Sequence, residues 1–391
     1  MNYTDRSRIL SYQRCPRSRF WEYHYRGCGI VPDKPSEHLA IGSMLHEGLE
    51  RLILGQSLLD VLEDLSPLQM DWPETWTEAR WQIDALLTAF NLVGLEKLKS
   101  AYTILETERE DQLPLTTLLT LMTRTDALVE DRTSGDLYIA SYKSAGSYDQ
   151  RKEAYHRHDL QGITEPLSVQ HRVGRNVEGV QMVYLIKGIR KKSVDLETGE
   201  ETKKFSSALL YGYNLEGTDE WAHSYEWTCD SPHDVSRGKG CSGGTAHRLG
   251  KGWRKLPVAT CYPGGVVGWV HSIHDGQIQS NARETEQFLE RYIVIPPPNC
   301  RDQEEMKERI EEITFQEDML DTICRENPLT KELVAKVFPR YEHSCTYPSI
   351  CKFHSLCWGA TEETNPLDCG FCLRTPNHPS EQIEIVEDVP W

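Results

Sequence analysis

Asp126 and Lys143 are the two side chains whose types and spacing most directly suggest chemistry. They stand in two runs separated by a turn at Arg132–Asp136, within the stretch Met122–Ala145. Thr125, Ala127 and Val129 alternate with Asp126, Leu128 and Glu130, and Leu137–Tyr142 is a β-branched and aromatic run ending in Lys143. This pattern predicts two antiparallel strands. Strands are rigid arms that hold a carboxylate and a lysine at fixed positions. The carboxylate suits a hard divalent cation, and the lysine supports an attacking water or the developing charge, which is what metal-dependent phosphodiester cleavage needs. That chemistry also asks for a second carboxylate two residues before the lysine, where this chain has Ser141.

The elements that must position this pair lie on both sides of it. Tyr102–Glu110 and Leu115–Glu130 read as the first two strands and Leu137–Lys143 as the third. Thr4 or Asp5 is placed to cap a first helix through Ile9–Cys15, followed by the arginine and aromatic run Tyr12–Trp21. Ala40–Ile53 is an amphipathic helix with Leu45, Leu49, Leu52 and Ile53 on one face and His46 beside it. Val61–Leu98 is helical, with breaks at Pro67 and Pro73. Glu153–Gln170 is a further helix, ended or kinked at Pro166, and it carries His158, Asp159 and Gln161. Val180–Ile189 and Lys203–Tyr213 read as a long hairpin with Thr198-Gly199 as the turn signal. Asn281–Ile295 reads as a helix stopped at Pro296. Asp302–Asn327 reads as an acidic helix with Met306, Ile310, Ile313 and Met319 as its apolar positions.

A chain of 391 residues can bury a large core. No apolar run is long enough to span a bilayer, and the N-terminus has no signal-peptide pattern, so the expectation is a soluble cytoplasmic protein without a membrane partner. The net charge of −17 argues against an overall nucleic-acid coat. Ser236–Lys255, however, carries Arg237, Lys239, Arg248, Lys251, Arg254 and Lys255 and no acid, and a local basic track is enough to meet phosphates. It reads either as a solvated loop or as an arm against a nucleic-acid backbone.

Twelve cysteines in a cytosolic chain point to metal ligation before disulfides. Cys345, Cys351 and Cys357 recur with five residues between each and the next. They read either as a metal-binding loop or as three buried thiols that bind nothing; thiolates select zinc or iron–sulfur clusters, and in the first case the three need a fourth ligand, for which Cys15 is the candidate. Cys369 and Cys372 form a second, weaker pair. They are either ligands together with His354 or His378, or two ordinary thiols.

Together these motifs resemble the PD-(D/E)XK nuclease superfamily, and within it the RecB-like branch that carries an iron–sulfur cluster, including AddB-type nucleases, CRISPR adaptation exonucleases and phage-encoded relatives. Tyr12-Gln13-Arg14-Cys15-Pro16 looks like that branch's opening cysteine motif, and Gly42-Ser43-Met44-Leu45-His46 like its helical histidine motif. Asp126 matches the first metal carboxylate, Tyr142-Lys143 the end of the D/E-x-K motif, and His158-Asp159-Leu160-Gln161 the following glutamine helix. Cys345, Cys351 and Cys357 match the distal cluster ligands.

The resemblance implies an α/β fold, a central mixed sheet flanked by helices, with a C-terminal metal-cluster region. It divides the chain into an N-terminal helical region (1–100), a nuclease core (101–215), a basic glycine-rich insertion (216–280) and C-terminal helices with the cysteines (281–391). It implies Mg²⁺ or Mn²⁺ at His46 and Asp126, a water oriented by Lys143, and Gln161 positioning the lysine or the DNA. It also implies a [4Fe–4S] cluster on Cys15, Cys345, Cys351 and Cys357. The expected substrate is DNA at ends or in single strands, with replication or recombination proteins as further partners. The phage-encoded relatives add the expectation of a viral protein in a host cell.

Two departures stand out. Glu165 replaces the tyrosine that usually follows the glutamine by four residues, and Ser141 replaces an Asp or Glu. Three readings of Ser141 are open: an inactivated variant, a naturally inactive member, or a carboxylate from elsewhere, such as Glu108, filling the gap. The function classes are correspondingly a DNA nuclease, a non-catalytic DNA-binding or assembly protein that keeps the fold, and a zinc-stabilised protein with no nucleic-acid role.

Overall fold

The computed structural model describes residues 2–187 (except 35, 71, 74 and 75), 292–347, 350–359 and 365–375, together with the backbone of five short strands between 190 and 280. In chain order the elements that position the site are β1 (Asn2–Asp5), α1 (Arg6–Arg14), α2 (Pro16–Arg19), β2 (Ile30–Pro32), α3 (Glu37–Ile53), α4 (Leu58–Leu68), α5 (Thr77–Ala89) and α6 (Leu95–Ala101). There follow β3 (Tyr102–Pro114), β4 (Leu119–Asp131), β5 (Leu137–Ala145), α7 (Gln150–Arg157), α8 (Gln161–Val173) and β6 (Val177–Ile186).

β4 is the hub of a mixed sheet. Along one side it pairs antiparallel with β3 for nearly its whole length. The other side is shared. β5 pairs antiparallel with Ala127–Glu130, and β1 pairs parallel with Leu119–Met122. Asp126 therefore sits where β5 leaves the ladder. β6 lies parallel to β5, and α7 and α8 make the crossover between them. Two-residue strands at Ile293–Val294 and Asn299–Cys300 pair with β6.

Helices cover both faces. On one, Ile41, Leu45, Leu49 and Leu52 of α3 pack with Ile83, Leu86 and Leu87 of α5 and with the sheet residues Ala140, Tyr142 and Val183. Gly48 permits this approach, since a Cβ there would meet the Leu87 side chain at 2.5 Å. On the other, Ile9, Leu121, Leu160 and Ile163 meet Met306 and Ile313 of the long helix α9 (Gln303–Glu326). A third cluster joins Phe20, Trp21 and Tyr25 to Leu320, Val334, Phe338 and Phe353. The expected α/β class, a central mixed sheet flanked by helices, is what the chain forms. Among the described residues no helix is long and apolar enough to cross a membrane.

Asp5 caps α1 by accepting the Arg8 amide at 2.8 Å. Several expected boundaries move. The break in Glu153–Gln170 falls at His158–Leu160 and not at Pro166, which lies inside α8. Asp159 offers its own carboxylate to the Gln161 amide at 3.1 Å, a local acceptor that competes with the helical ladder. Among the described residues Val180–Ile186 does not pair with Lys203–Phe205, and the rest of the expected hairpin lies outside the described residues. β6 is a central strand, and Arg190–Val194 pairs instead with Glu201–Phe205. Ile293–Val294 is a strand, because the edge of β6 takes its backbone groups; the rest of the helix expected from Asn281 lies outside the described residues. In α9 the buried position is Leu320, and Met319 is exposed. Most of the basic insertion, including Ser236–Lys255, also lies outside the described residues.

Candidate metal centre and the thiol cluster

His46, Glu108 and Asp126 converge from three elements. Their ligand atoms lie within 4.8 Å of one another, and they are the only such group of metal-ligating side chains among the described residues. His46 Nδ1 is 3.2 Å from Asp126 Oδ1 and 3.8 Å from Glu108 Oε1. Thr107 faces Ala127 and Arg109 faces Thr125, so Glu108 lies directly opposite Asp126 on the neighbouring strand. Like charges in that arrangement repel unless something cationic stands between them. Arg124 holds the other oxygen of Glu108 at 2.8 Å.

Glu108 also has a φ of +45°, in the left-handed region, where a side chain costs about 1–2 kcal/mol. Backbone strain of this kind collects at functional sites. A register shift lies nearby in the same strand, between Ile104 and Glu106.

The electrostatics show what the cluster does without a metal. Burial works against the imidazolium of His46, but hydrogen bonds to Asp126 and Glu108 outweigh it and hold the group up at about 9. Burial also works against the Asp126 carboxylate. The His46 hydrogen bond and charge, the Lys143 charge and the Tyr142 amide overcome it and keep Asp126 below the usual carboxylate range. A proton on His46 thus takes the place that a divalent cation would take. One imidazole nitrogen and two carboxylates suit such an ion, so the residues present fit the metal that the chemistry asks for.

Ser141, Lys143 and Gln161 are brought to the same place. The Tyr142 ring turns toward α3 and α5, edge-on to His46 at 6.3 Å and to Phe90 at 6.1 Å. The pleat therefore turns Ser141 and Lys143 toward α8. The Tyr142 amide donates to Asp126 Oδ2 at 2.8 Å, and Ser141 Oγ donates to the same oxygen at 3.0 Å. Gln161 Nε2 donates to Ser141 Oγ at 2.8 Å, while Arg6 Nη1 donates to Gln161 Oε1 at 3.0 Å. Those partners fix which way the Gln161 amide points. Glu165, one turn after Gln161, is buried beneath them. Burial pushes its carboxyl up to about 8, the Asp126 charge adds to the rise, and Lys143 and Gln161 oppose it.

The sequence pattern did not single out Arg6 as a site residue. It lies 155 positions from its partner Gln161, and only the long-range packing of α1 joins the two. The signal for Glu165 was its departure from the usual tyrosine.

The cysteines form a separate assembly. Cys15 and Cys345 are buried and Cys351 and Cys357 half-buried, where the N-terminal helices meet the C-terminal ones. Cys351 lies within electrostatic reach of Cys15 and Cys345, and Cys357 within reach of Cys351 and Cys15. Burial is the main cause that raises both thiols, Cys357 to about 11. The Cys351 amide donates to the Cys345 carbonyl at 2.9 Å, and Trp358 Nε1 lies 3.4 Å from Cys345 Sγ. Four soft donors of one kind fit a thiophilic metal group. Cys369 and Cys372 are exposed and join no such assembly among the described residues. Cys372 lies on a short strand paired with β2, and His378 lies outside the described residues.

The sequence model of the PD-(D/E)XK nuclease superfamily matches residues 6–357, from the first helix to the last of these four cysteines. The chain belongs to that superfamily, whose members are generally nucleases. A comparison with curated proteins gives no match.

Proposed function

We propose that the protein is a divalent-metal-dependent DNA nuclease of the RecB-like kind, acting on DNA ends or single strands. The observation that carries this reading is Glu108 opposite Asp126, with His46 between them, at the fork where β5 leaves β4. His46, Glu108 and Asp126 would hold Mg²⁺ or Mn²⁺. Such an ion, when bound, supplies Lewis acidity at the scissile phosphate and makes water a better nucleophile. Lys143 would orient the water or the phosphate from the α8 side. Ser141 and the Tyr142 amide fix the second oxygen of Asp126, so that its first oxygen keeps facing His46. Gln161, itself held by Arg6, fixes Ser141.

We infer further that Cys15, Cys345, Cys351 and Cys357 hold an iron–sulfur cluster that staples the two flanks of the core. The support is their mutual placement, within electrostatic reach of one another where Phe20 and Trp21 pack against Phe338 and Phe353.

Ser141 favours a second reading, a protein that binds DNA with this fold and does not cut it. A neutral hydroxyl is a poor ligand for a hard cation. Degradation of end-labelled DNA with Mn²⁺ and with EDTA, by this chain and by its Asp126→Asn variant, separates the two. Cleavage that needs both Mn²⁺ and Asp126 supports the nuclease. DNA binding with no cleavage under any condition gives the field to the second reading.

A further inference from the structure

Ser141 leaves a gap in the acidic set, and the structure shows why the serine cannot fill it. Its hydroxyl proton goes to Asp126, and its oxygen accepts from Gln161. Ser141 is fully buried with both partners in place.

Glu165 lies on the other side of that gap. It follows Gln161 by four residues on α8, so the two side chains share a helix face. That face is the one turned to Ser141, since Gln161 bonds to it. The Glu165 side chain is hydrogen-bonded to Gln161 and stands within electrostatic reach of Asp126 and Lys143. The residue is 6% exposed, and its Oε2 has no hydrogen-bond partner among the described residues. No ion pair joins it to Lys143, Arg6 or any other described cation. A buried carboxylate oxygen without a partner is costly, and an apolar residue at the same place would avoid that cost. A proton or a cation from outside the described side chains would meet this oxygen, and the groups around it limit which. Asp126 lies ahead, already anionic, with Lys143 beside it. A cation shared between two carboxylates answers both the unpartnered oxygen and the repulsion.

We propose that Glu165 is the relocated second carboxylate of the metal centre. It reaches from helix α8 past Ser141 to supply the oxygen that strand β5 lacks, on the Lys143 side of Asp126, to a divalent cation. This rests on the reading of His46, Glu108 and Asp126 as a metal centre; Glu165 lies outside that converging group and would join it from the Asp126 side when an ion is bound. It also makes Ser141 the residue that leaves room for Glu165, and not a sign of a dead site.

The test is Mn²⁺ binding to the full-length protein, read by the electron paramagnetic resonance signal of free Mn²⁺, with cleavage of end-labelled DNA measured in parallel. Glu165→Gln keeps the shape and the Gln161 hydrogen bond and removes the charge. It is expected to weaken Mn²⁺ binding at least about tenfold, as loss of a group supporting a metal does. Placing a carboxylate back on the strand, in the double variant Ser141→Asp with Glu165→Gln, is expected to recover binding. Near-ultraviolet circular dichroism establishes that each variant is folded. If the unmodified protein binds Mn²⁺ through Asp126 and Glu165→Gln binds it equally well, the relocation is wrong and the metal centre stands. If the double variant gives no recovery, Glu165 acts by packing and not as a substitute for position 141, and the proposal falls. If neither the unmodified protein nor Ser141→Asp binds Mn²⁺, the metal centre itself fails, and the proposal with it.

Discussion

Ser141 Oγ donates to Asp126 Oδ2 at 3.0 Å, so the residue that replaces a carboxylate serves the carboxylate that remains. Two changes at this position have opposite expected effects. Ser141→Ala removes the hydroxyl and leaves Gln161 Nε2 without that acceptor, which is expected to cost about 1 kcal/mol of stability by urea unfolding. Ser141→Asp puts two carboxylates side by side. Without metal it is expected to lower stability, and with Mn²⁺ to raise affinity and cleavage above those of the unmodified chain. Equal stability of Ser141→Asp with and without Mn²⁺ would show that no cation sits between the two positions.

Asp126 is the group on which the whole cluster converges. It takes the Tyr142 amide, the Ser141 hydroxyl and the His46 imidazole at once. Asp126→Asn is expected to reduce Mn²⁺-dependent cleavage on the order of a hundredfold or more, the scale of losing a preorganised electrostatic group in a reaction centre. It also has a spectroscopic consequence. The hydrogen bond and charge of Asp126 are among the causes that hold His46 up at about 9, so its proton should come off nearer the ordinary histidine range in Asp126→Asn. A nuclear magnetic resonance titration of the His46 ring reads this directly. An unmoved titration would mean that Glu108 alone holds the proton.

Much of this arrangement was legible in the sequence because its signals are local. The hairpin from Met122 to Ala145 follows from alternation of apolar residues and a turn, and it fixes the strands of Asp126 and Lys143. The helix bearing His46 follows from one apolar face. What the sequence did not show is long-range. Nothing near Arg6 indicates that α1 will reach Gln161, and nothing in Tyr102–Glu110 indicates that Glu108 takes a left-handed conformation opposite Asp126. Pro166 is a stronger local signal than Asp159, yet Asp159, paired with Arg6 at 3.3 Å, sets the α7–α8 boundary. A buried central strand such as β6 shows the same apolar run as one arm of a hairpin, so the sequence does not separate the two.

The metal-free protein should lose stability as pH rises across the neutral range. Glu165 titrates at about 8 in the fold against an ordinary 4.5, and His46 at about 9 against 6.5. Both values are raised, so the folded state holds protons that the unfolded state has released. The stability they confer is complete below the ordinary values. It is lost between about 4.5 and 8 for Glu165 and between about 6.5 and 9 for His46. Asp126 is shifted the other way, so its effect falls below its ordinary 3.8 and outside this window. Burial raises Asp84 to about 7, which acts in the same sense as Glu165. Glu165→Gln separates the two. In EDTA its melting temperature should fall less steeply above pH 5 than that of the unmodified protein, and it should be the more stable of the two at pH 8. Saturating Mn²⁺ should reverse that order. Parallel curves for the two proteins would show that Glu165 is not ionising in the fold.

The thiol assembly and the proposed metal centre lie in different parts of the core, which makes their roles separable. Cys351 and Cys357 pack with Phe20, Trp21, Phe338 and Phe353, whereas His46 rides on a helix packed with the sheet core around Tyr142 and Val183. The ends of the chain are also joined without any cluster. Arg17 Nε donates to the Phe338 carbonyl at 2.8 Å, Ser344 Oγ to the Arg14 carbonyl at 2.8 Å, and Arg19 pairs with buried Glu317 at 2.8 Å. Loss of the proposed cluster should therefore loosen this region and leave the sheet. Protein purified without oxygen is expected to be brown, with iron and acid-labile sulfide in equal amounts. Cys351→Ser is expected to be colourless and destabilised by more than the about 0.5–3 kcal/mol of an ordinary substitution, while still binding Mn²⁺. Zinc in place of iron would assign the four thiols to a single ion. Full stability of a metal-free, colourless Cys351→Ser protein would mean that packing alone holds the two ends together.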